Sequence, residues 1–169
     1  MAKRASFLLR VLYELADIAC PAVVALVLLV TFVLRPIGVE GDSMLPTLRD
    51  EQQIVVRVFP GELRHGDVIV VSDAGTQLDS VIVKRVIGLP GDVIDIDFTA
   101  GVVYRNGEAL SEPFEPVVRR GDVAFPLMVE PGTVFLLGDN RNDSADSRHG
   151  SIGLVDQRYV IGRMIWPFE

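Results

Sequence analysis

The chain has 169 residues, room for one compact domain and a short appendage. Hydrophobic residues make up 49% of it and the mean hydropathy is +0.36, more apolar than a purely soluble domain of this size. A formal net charge of −7 argues against a nucleic-acid partner, and the single cysteine, Cys20, excludes an intrachain disulfide.

The first element is an apolar run. No side chain between Asp17 and Arg35 is charged, so Ile18–Leu34 can form a helix about 25 Å long, at the lower end of what crosses a bilayer. Pro21 falls near the start of that run, where a helix tolerates proline. The flank Leu34-Arg35-Pro36-Ile37-Gly38 lacks the small-x-small exit of a cleaved leader, so an uncleaved anchor is expected. Residues 1–17 carry Lys3, Arg4 and Arg10 against Glu14 and Asp17, which leaves −8 for the rest of the chain. The basic flank predicts a cytoplasmic N-terminus, with the acidic remainder outside the cell membrane. We divide the chain accordingly into residues 1–36, N-terminus and transmembrane anchor, and residues 37–169, an extracytoplasmic catalytic domain.

Beyond the anchor, short strands alternate with turn signals. Strands are predicted over Ile54–Phe59, Asp67–Val71, Val81–Ile87, Val93–Phe98, Val134–Leu137 and Tyr159–Trp166. Leu89-Pro90-Gly91-Asp92 is a turn, and Asn106-Gly107 inside Val102–Leu110 signals a hairpin. Residues 111–122 read as a surface loop. No amphipathic helix of three turns follows the anchor, so the fold class is mainly β: a transmembrane helix and then an all-β domain.

Three blocks carry chemistry. Gly41-Asp42-Ser43-Met44-Leu45-Pro46-Thr47-Leu48 holds a candidate nucleophile, Ser43. A serine hydroxyl needs a group to take its proton. His65 and His149 are the two histidines, and either could serve. Lysine is the alternative base, and Lys84 lies in Ser80–Asp92 about forty residues after Ser43. In strand register Lys84 shares a face with Ile82 and Val86, an apolar setting that opposes charge. Lowering a lysine from its ordinary range to neutrality takes about 4 kcal/mol. The third block is Gly138-Asp139-Asn140-Arg141-Asn142-Asp143-Ser144-Ala145-Asp146-Ser147-Arg148-His149-Gly150. Taken alone, Ser43 reads as a turn residue and Lys84 as an edge-strand charge; the three blocks together point to a Ser–Lys hydrolase.

These blocks, with Arg64-His65-Gly66-Asp67-Val68-Ile69-Val70 and the terminal Gly162–Phe168, resemble the signature boxes of bacterial type I signal peptidases, of the single-anchor, Gram-positive-like type. The resemblance implies Ser43 as nucleophile, Lys84 as general base, and Ser144 hydrogen-bonded to the Lys84 amine. It implies two structural pairs, Asp146 with Arg148 and Asp139 with Arg85, and an exposed Asp42. Where some relatives place a serine donor for the oxyanion hole, this chain has Gly41, so the hole would rest on the Ser43 backbone N–H and a further donor. Shallow pockets for small side chains at −1 and −3 are expected near Val39, Met44, Ile82 and Val83, with the substrate added as a strand beside the catalytic one. Phe59 and Trp166 are candidates for the lipid interface. The expected partners are signal-peptide-bearing preproteins and the bilayer; a monomer without metal or organic cofactor is expected. Alternatives are a self-cleaving repressor-type peptidase, a dedicated maturation peptidase of a conjugation or pilus system, and an inactive membrane-tethered assembly factor.

Overall fold

The computed structural model describes residues 2–58, 60–72 and 80–167. The chain forms two compact units, Met1–Arg35 and Pro36–Glu169.

In the first unit α1 runs from Ala2 to Phe32, 31 residues and about 46 Å. It contains no glycine. Its most apolar stretch, Tyr13–Phe32, has a mean hydropathy of 2.4, and all of its side chains are exposed. Pro21 is therefore not at the helix start, as the apolar run suggested, but deep inside α1. The basic N-terminal segment continues the helix upstream, because leucine, alanine, lysine and arginine all favour it. The helix ends before Arg35-Pro36, as proline pushes its predecessor toward extended backbone.

The second unit holds the β-structure. Its strands are β1 (Leu34–Gly38), β2 (Gln53–Arg57), β3 (Val68–Val71), β4 (Ile82–Gly88), β5 (Val93–Asp97), β6 (Val102–Arg105), β7 (Glu108–Ala109), β8 (Leu127–Met128), β9 (Thr133–Leu137), β10 (Val155–Asp156) and β11 (Val160–Pro167). Seven of them make one sheet in the order β1-β2-β11-β3-β4-β9-β10; the other four make a second sheet, β7-β6-β5-β8.

Strand interiors follow from composition. β3 is Val-Ile-Val-Val and fully buried, and β4 is buried at every position except the half-buried Arg85, as central strands packed on both faces are. β5 alternates as its sequence does, with Ile94 and Ile96 inward and Asp95 and Asp97 outward. Asp97 ends it by accepting the Thr99 and Ala100 N–H groups, so Phe98 lies past the strand although it still packs on the core. In the β6–β7 hairpin Asn106 (φ 53°) and Gly107 (φ 80°) both adopt the left-handed conformation that a two-residue turn requires.

Three strands escaped the sequence reading. Arg35-Pro36, assigned to the anchor's exit, forms the edge strand β1, where a missing N–H is tolerated. β8 and β10 are two-residue strands defined by their partners β5 and β9 rather than by their own pattern. β2 stops at Arg57 instead of Phe59; Phe59 lies outside the described residues.

Three cores result. One face of the large sheet carries Val39, Met44, Leu48, Ile54, Val56, Val68, Val70 and Val83. A second cluster includes Ile69, Val71, Ile82, Val86, Val134 and Leu136. The third joins Ile87, Phe135 and Leu137 to Ile94, Ile96 and Val103 of the small sheet, with Phe125 edge-on to Phe98 and Phe135.

Candidate active site

Ser43 sits on a compact turn, residues 41–48, between β1 and β2. Buried Met44 and Leu48 root the turn in the first core, and the Leu48 N–H donates to the Met44 carbonyl. The ends are drawn together by Val39 N–H to Gln52 O and Glu51 N–H to Val39 O. Gly41 turns with φ +79° and gives its N–H to Asp50 Oδ1 at 2.7 Å. Asp42 is exposed.

Lys84 comes from the middle of β4, opposite the fully buried Ile69 of β3. Its side chain is 3% exposed. Nζ lies 2.7 Å from Ser43 Oγ and 2.9 Å from the carbonyl of Val83. Burial lowers the amine from the ordinary lysine value of 10.5 to about 8, opposed in part by the Asp146 and Asp139 carboxylates. A group of this acidity is half-neutral within reach of physiological pH and can accept a proton from the hydroxyl it touches.

The third block wraps the end of β9 and returns to it. Ser147 exchanges two bonds with Leu136: Leu136 N–H donates to Ser147 Oγ and Ser147 N–H to Leu136 O. Asp146 holds Arg148 through two contacts of 2.8 Å, both side chains fully buried, and also accepts the Gly138 N–H. Arg148 continues to the Arg119 carbonyl at 2.9 Å. Asp139 grips Arg85 through Nε and Nη2 at 2.7 and 2.6 Å and accepts the Thr47 hydroxyl at 2.5 Å. One carboxylate therefore ties β4 to the turn that carries Ser43, and its hydrogen bond holds Arg85 firmly charged.

Removing one partner of the buried Asp146–Arg148 pair strands the other's charge. Asp146→Ala should destabilise the fold by about 3–5 kcal/mol, read from chemical denaturation midpoints. Replacing both by apolar residues of similar volume should cost much less.

Several expectations need correction or placement. Ser144 is buried beside Gly138, yet its Oγ has no hydrogen-bond partner among the described residues, so the expected Ser144–Lys84 bond is not made. Two of the three Nζ donor directions are already taken by Ser43 and Val83. The two histidines lie elsewhere: His65 bonds Asp92 at 2.7 Å, and His149 closes a turn back to Asp146. The four pocket residues do not form one group: Val39, Met44 and Val83 pack in the first core and Ile82 in the second. β4 pairs with β3 over Ile82–Arg85 and with β9 from Arg85 onward, which leaves backbone on the β9 side of Ile82–Lys84 without a strand partner among the described residues. Trp166 is exposed on β11. Among the described residues no group of three or more His, Cys, Asp or Glu side chains is placed to hold a metal ion.

Sequence reasoning gave no part to Phe114. Its ring lies 5.3 Å from the Arg85 guanidinium and 4.8 Å from that of Arg141, and Arg141 also pairs with Glu112 at 2.7 Å. The loop 111–122 is thus pinned beside the third block. A lone aromatic among prolines and charges was the available signal.

The family model for signal peptidases, peptidase S26, matches residues 12–169. The chain belongs to that family. Signal peptidase I of Bacillus licheniformis is 36% identical, the match covering 94% of this chain and 90% of that protein. Signal peptidase I of Bacillus caldolyticus is 37% identical over 82% of each chain. The crystal structure of a signal peptidase I from Enterococcus faecalis superposes with a TM-score of 0.52 at 28% identity, covering 63% of this chain and 99% of that one. As a bacterial type I signal peptidase the chain is a serine endopeptidase, mainly β after one apolar helix, whose substrates are signal-peptide-bearing preproteins.

Proposed function

We propose that this signal peptidase cleaves preproteins after small residues at −1 and −3, with Ser43 as nucleophile and Lys84 as general base. The 2.7 Å contact between a nearly dry amine and the Ser43 hydroxyl carries the reading. The neutral amine takes the hydroxyl proton as Oγ adds to the scissile carbonyl. The resulting ammonium returns that proton to the departing amine, the N-terminus of the mature protein, and leaves the signal peptide esterified to Ser43. Water then enters, Lys84 takes a proton from it as its oxygen adds to the ester, and the ammonium passes that proton to Ser43 Oγ as the ester breaks, freeing the signal peptide's carboxyl end and restoring Ser43 and Lys84. A neutral Lys84 has two N–H groups and one lone pair. With the lone pair on Ser43 and one N–H on Val83 O, the second N–H is available to Ser144, whose buried Oγ lacks a partner among the described residues. Ser144 would then orient the amine in the state that reacts, while Asp139 with Arg85 and Asp146 with Arg148 keep the third block in place.

Tyr13–Phe32 is the anchor in this reading, long enough to cross a bilayer, with the N-terminus cytoplasmic and residues 36–169 outside the cell membrane. The test is mass spectrometry of a preprotein with an Ala-x-Ala exit, incubated with the full chain or its Ser43→Ala variant. A single cut after the −1 alanine, absent with the variant, is expected. Equal cutting by both would end the assignment.

A further inference from the structure

We infer that Asn140 is a positioning residue for the oxyanion donor; the inference rests on Ser43 being the nucleophile. Asn140 catches two successive carbonyls of the nucleophile turn. Its backbone N–H donates to Ser43 O and its Nδ2 to Asp42 O, both at 3.1 Å.

The second bond bears on the donor. The Asp42–Ser43 peptide is planar and not among the cis bonds of the chain, so its C=O and N–H point in opposite directions. Fixing the Asp42 carbonyl from the third block therefore fixes where the Ser43 N–H points. No acceptor takes that N–H among the described residues, which leaves it for the oxyanion that develops on the scissile carbonyl as Ser43 Oγ adds to it.

Within the turn the Leu45 N–H also donates to Asp42 O, at 3.1 Å; the Asn140 amide is the tie that reaches this carbonyl from outside the turn. Asp42 is exposed, and Gly41 before it has open space around its Cβ position. Gly41 brings no side-chain donor of its own, and its N–H is committed to Asp50. Without the Asn140 amide the Asp42–Ser43 plane keeps only the turn's own Leu45 bond, on which it can tilt and turn the donor away. Lys84 would keep its place, because its contacts to Ser43 Oγ and Val83 O do not involve Asn140.

The test compares Asn140→Ala and Asn140→Leu in the full chain in detergent, with Ser43→Ala as control and a preprotein as substrate. Both variants retain the backbone N–H, and leucine also retains the volume. Expected is a fall in kcat of roughly 10- to 100-fold in both, since a misaimed donor is partly lost. KM should stay within about twofold, and the apparent pKa of the rate profile and the melting temperature should not move. Wild-type kcat in either variant, beside an inactive Ser43→Ala, would overturn the inference alone. A displaced pH profile would also overturn it, by showing that Asn140 acts through Lys84. Cleavage by Ser43→Ala would instead sink the reading beneath it, and the inference with it.

Discussion

Lys84→Met should yield a protein that cleaves nothing and melts higher than its parent. The lysine amine titrates near 10.5 in the unfolded chain and at about 8 in the fold, because burial disfavours its charge. Between those values the unfolded chain binds more protons than the native one, so stability rises with pH across that window. Below about pH 8 the whole penalty applies, about 3 kcal/mol for a shift of this size. Methionine has similar volume and no charge, but it forfeits the contacts to Ser43 Oγ and Val83 O, each about 1 kcal/mol. The net gain is roughly 1–2 kcal/mol, visible as a few degrees in the melting temperature. The same titration shapes catalysis. Cleavage by the parent should rise about tenfold per pH unit up to about 8 and level off above it, because only the neutral amine accepts the Ser43 proton. A methionine variant less stable than its parent at pH 7, or a rate flat from pH 6 to 9, would mean that the amine is neither dry nor the base.

Gly138→Ala should also damage cleavage severely, through space alone. A Cβ at Gly138 would overlap Ser144 Oγ and stand 2.5 Å from both Ser144 Cβ and the Ser43 carbonyl oxygen. Neither neighbour is free to yield: Ser144 is buried, and the Ser43 carbonyl already accepts the Asn140 N–H. Relief requires the nucleophile turn to back away from the third block, stretching the 2.7 Å contact to Lys84. Displacements near 1 Å cost about 100-fold in rate, so a loss of that order or more is expected in a preprotein assay. Gly41→Ala is the informative contrast. Its Cβ would meet nothing within 4 Å, and only the φ of +79° opposes it, at a cost of about 1–2 kcal/mol. A Gly138→Ala enzyme as active as Gly41→Ala would show that the third block does not press on Ser43.

Local signals account for what could be read without coordinates. The Asn106-Gly107 tip, the Pro90-Gly91 turn and the alternation of Val93–Asp97 are short-range patterns, and each has the expected form. Lys84, sharing a strand face with Ile82 and Val86, announced its burial for the same reason. What escaped depends on partners far along the chain. β8 and β10 exist because β5 and β9 present open edges to them, and β1 was masked by a proline acceptable only at a sheet margin. Asn140 lies within a recognised block, but its contact to Asp42, 98 positions earlier in the chain, is invisible until the fold makes it. Ser144 shows the limit from the other side: it was expected to bond the Lys84 amine, and its buried Oγ has no partner among the described residues.

β4 and β9 lie side by side in the large sheet, yet the chain makes the entire small sheet on its way from one to the other. At the tip of that excursion Gly107 is exposed, while the Asn106 amide folds back onto Asp92 and Val93. Its base is obligatory, since Ile94, Ile96 and Val103 roof over Ile87, Phe135 and Leu137. Size can therefore vary outward from the tip, by inserted residues or whole grafted modules, without disturbing the distance between hydroxyl and amine. Trimming inward past the roof would expose the underside of the very strands that bring them together.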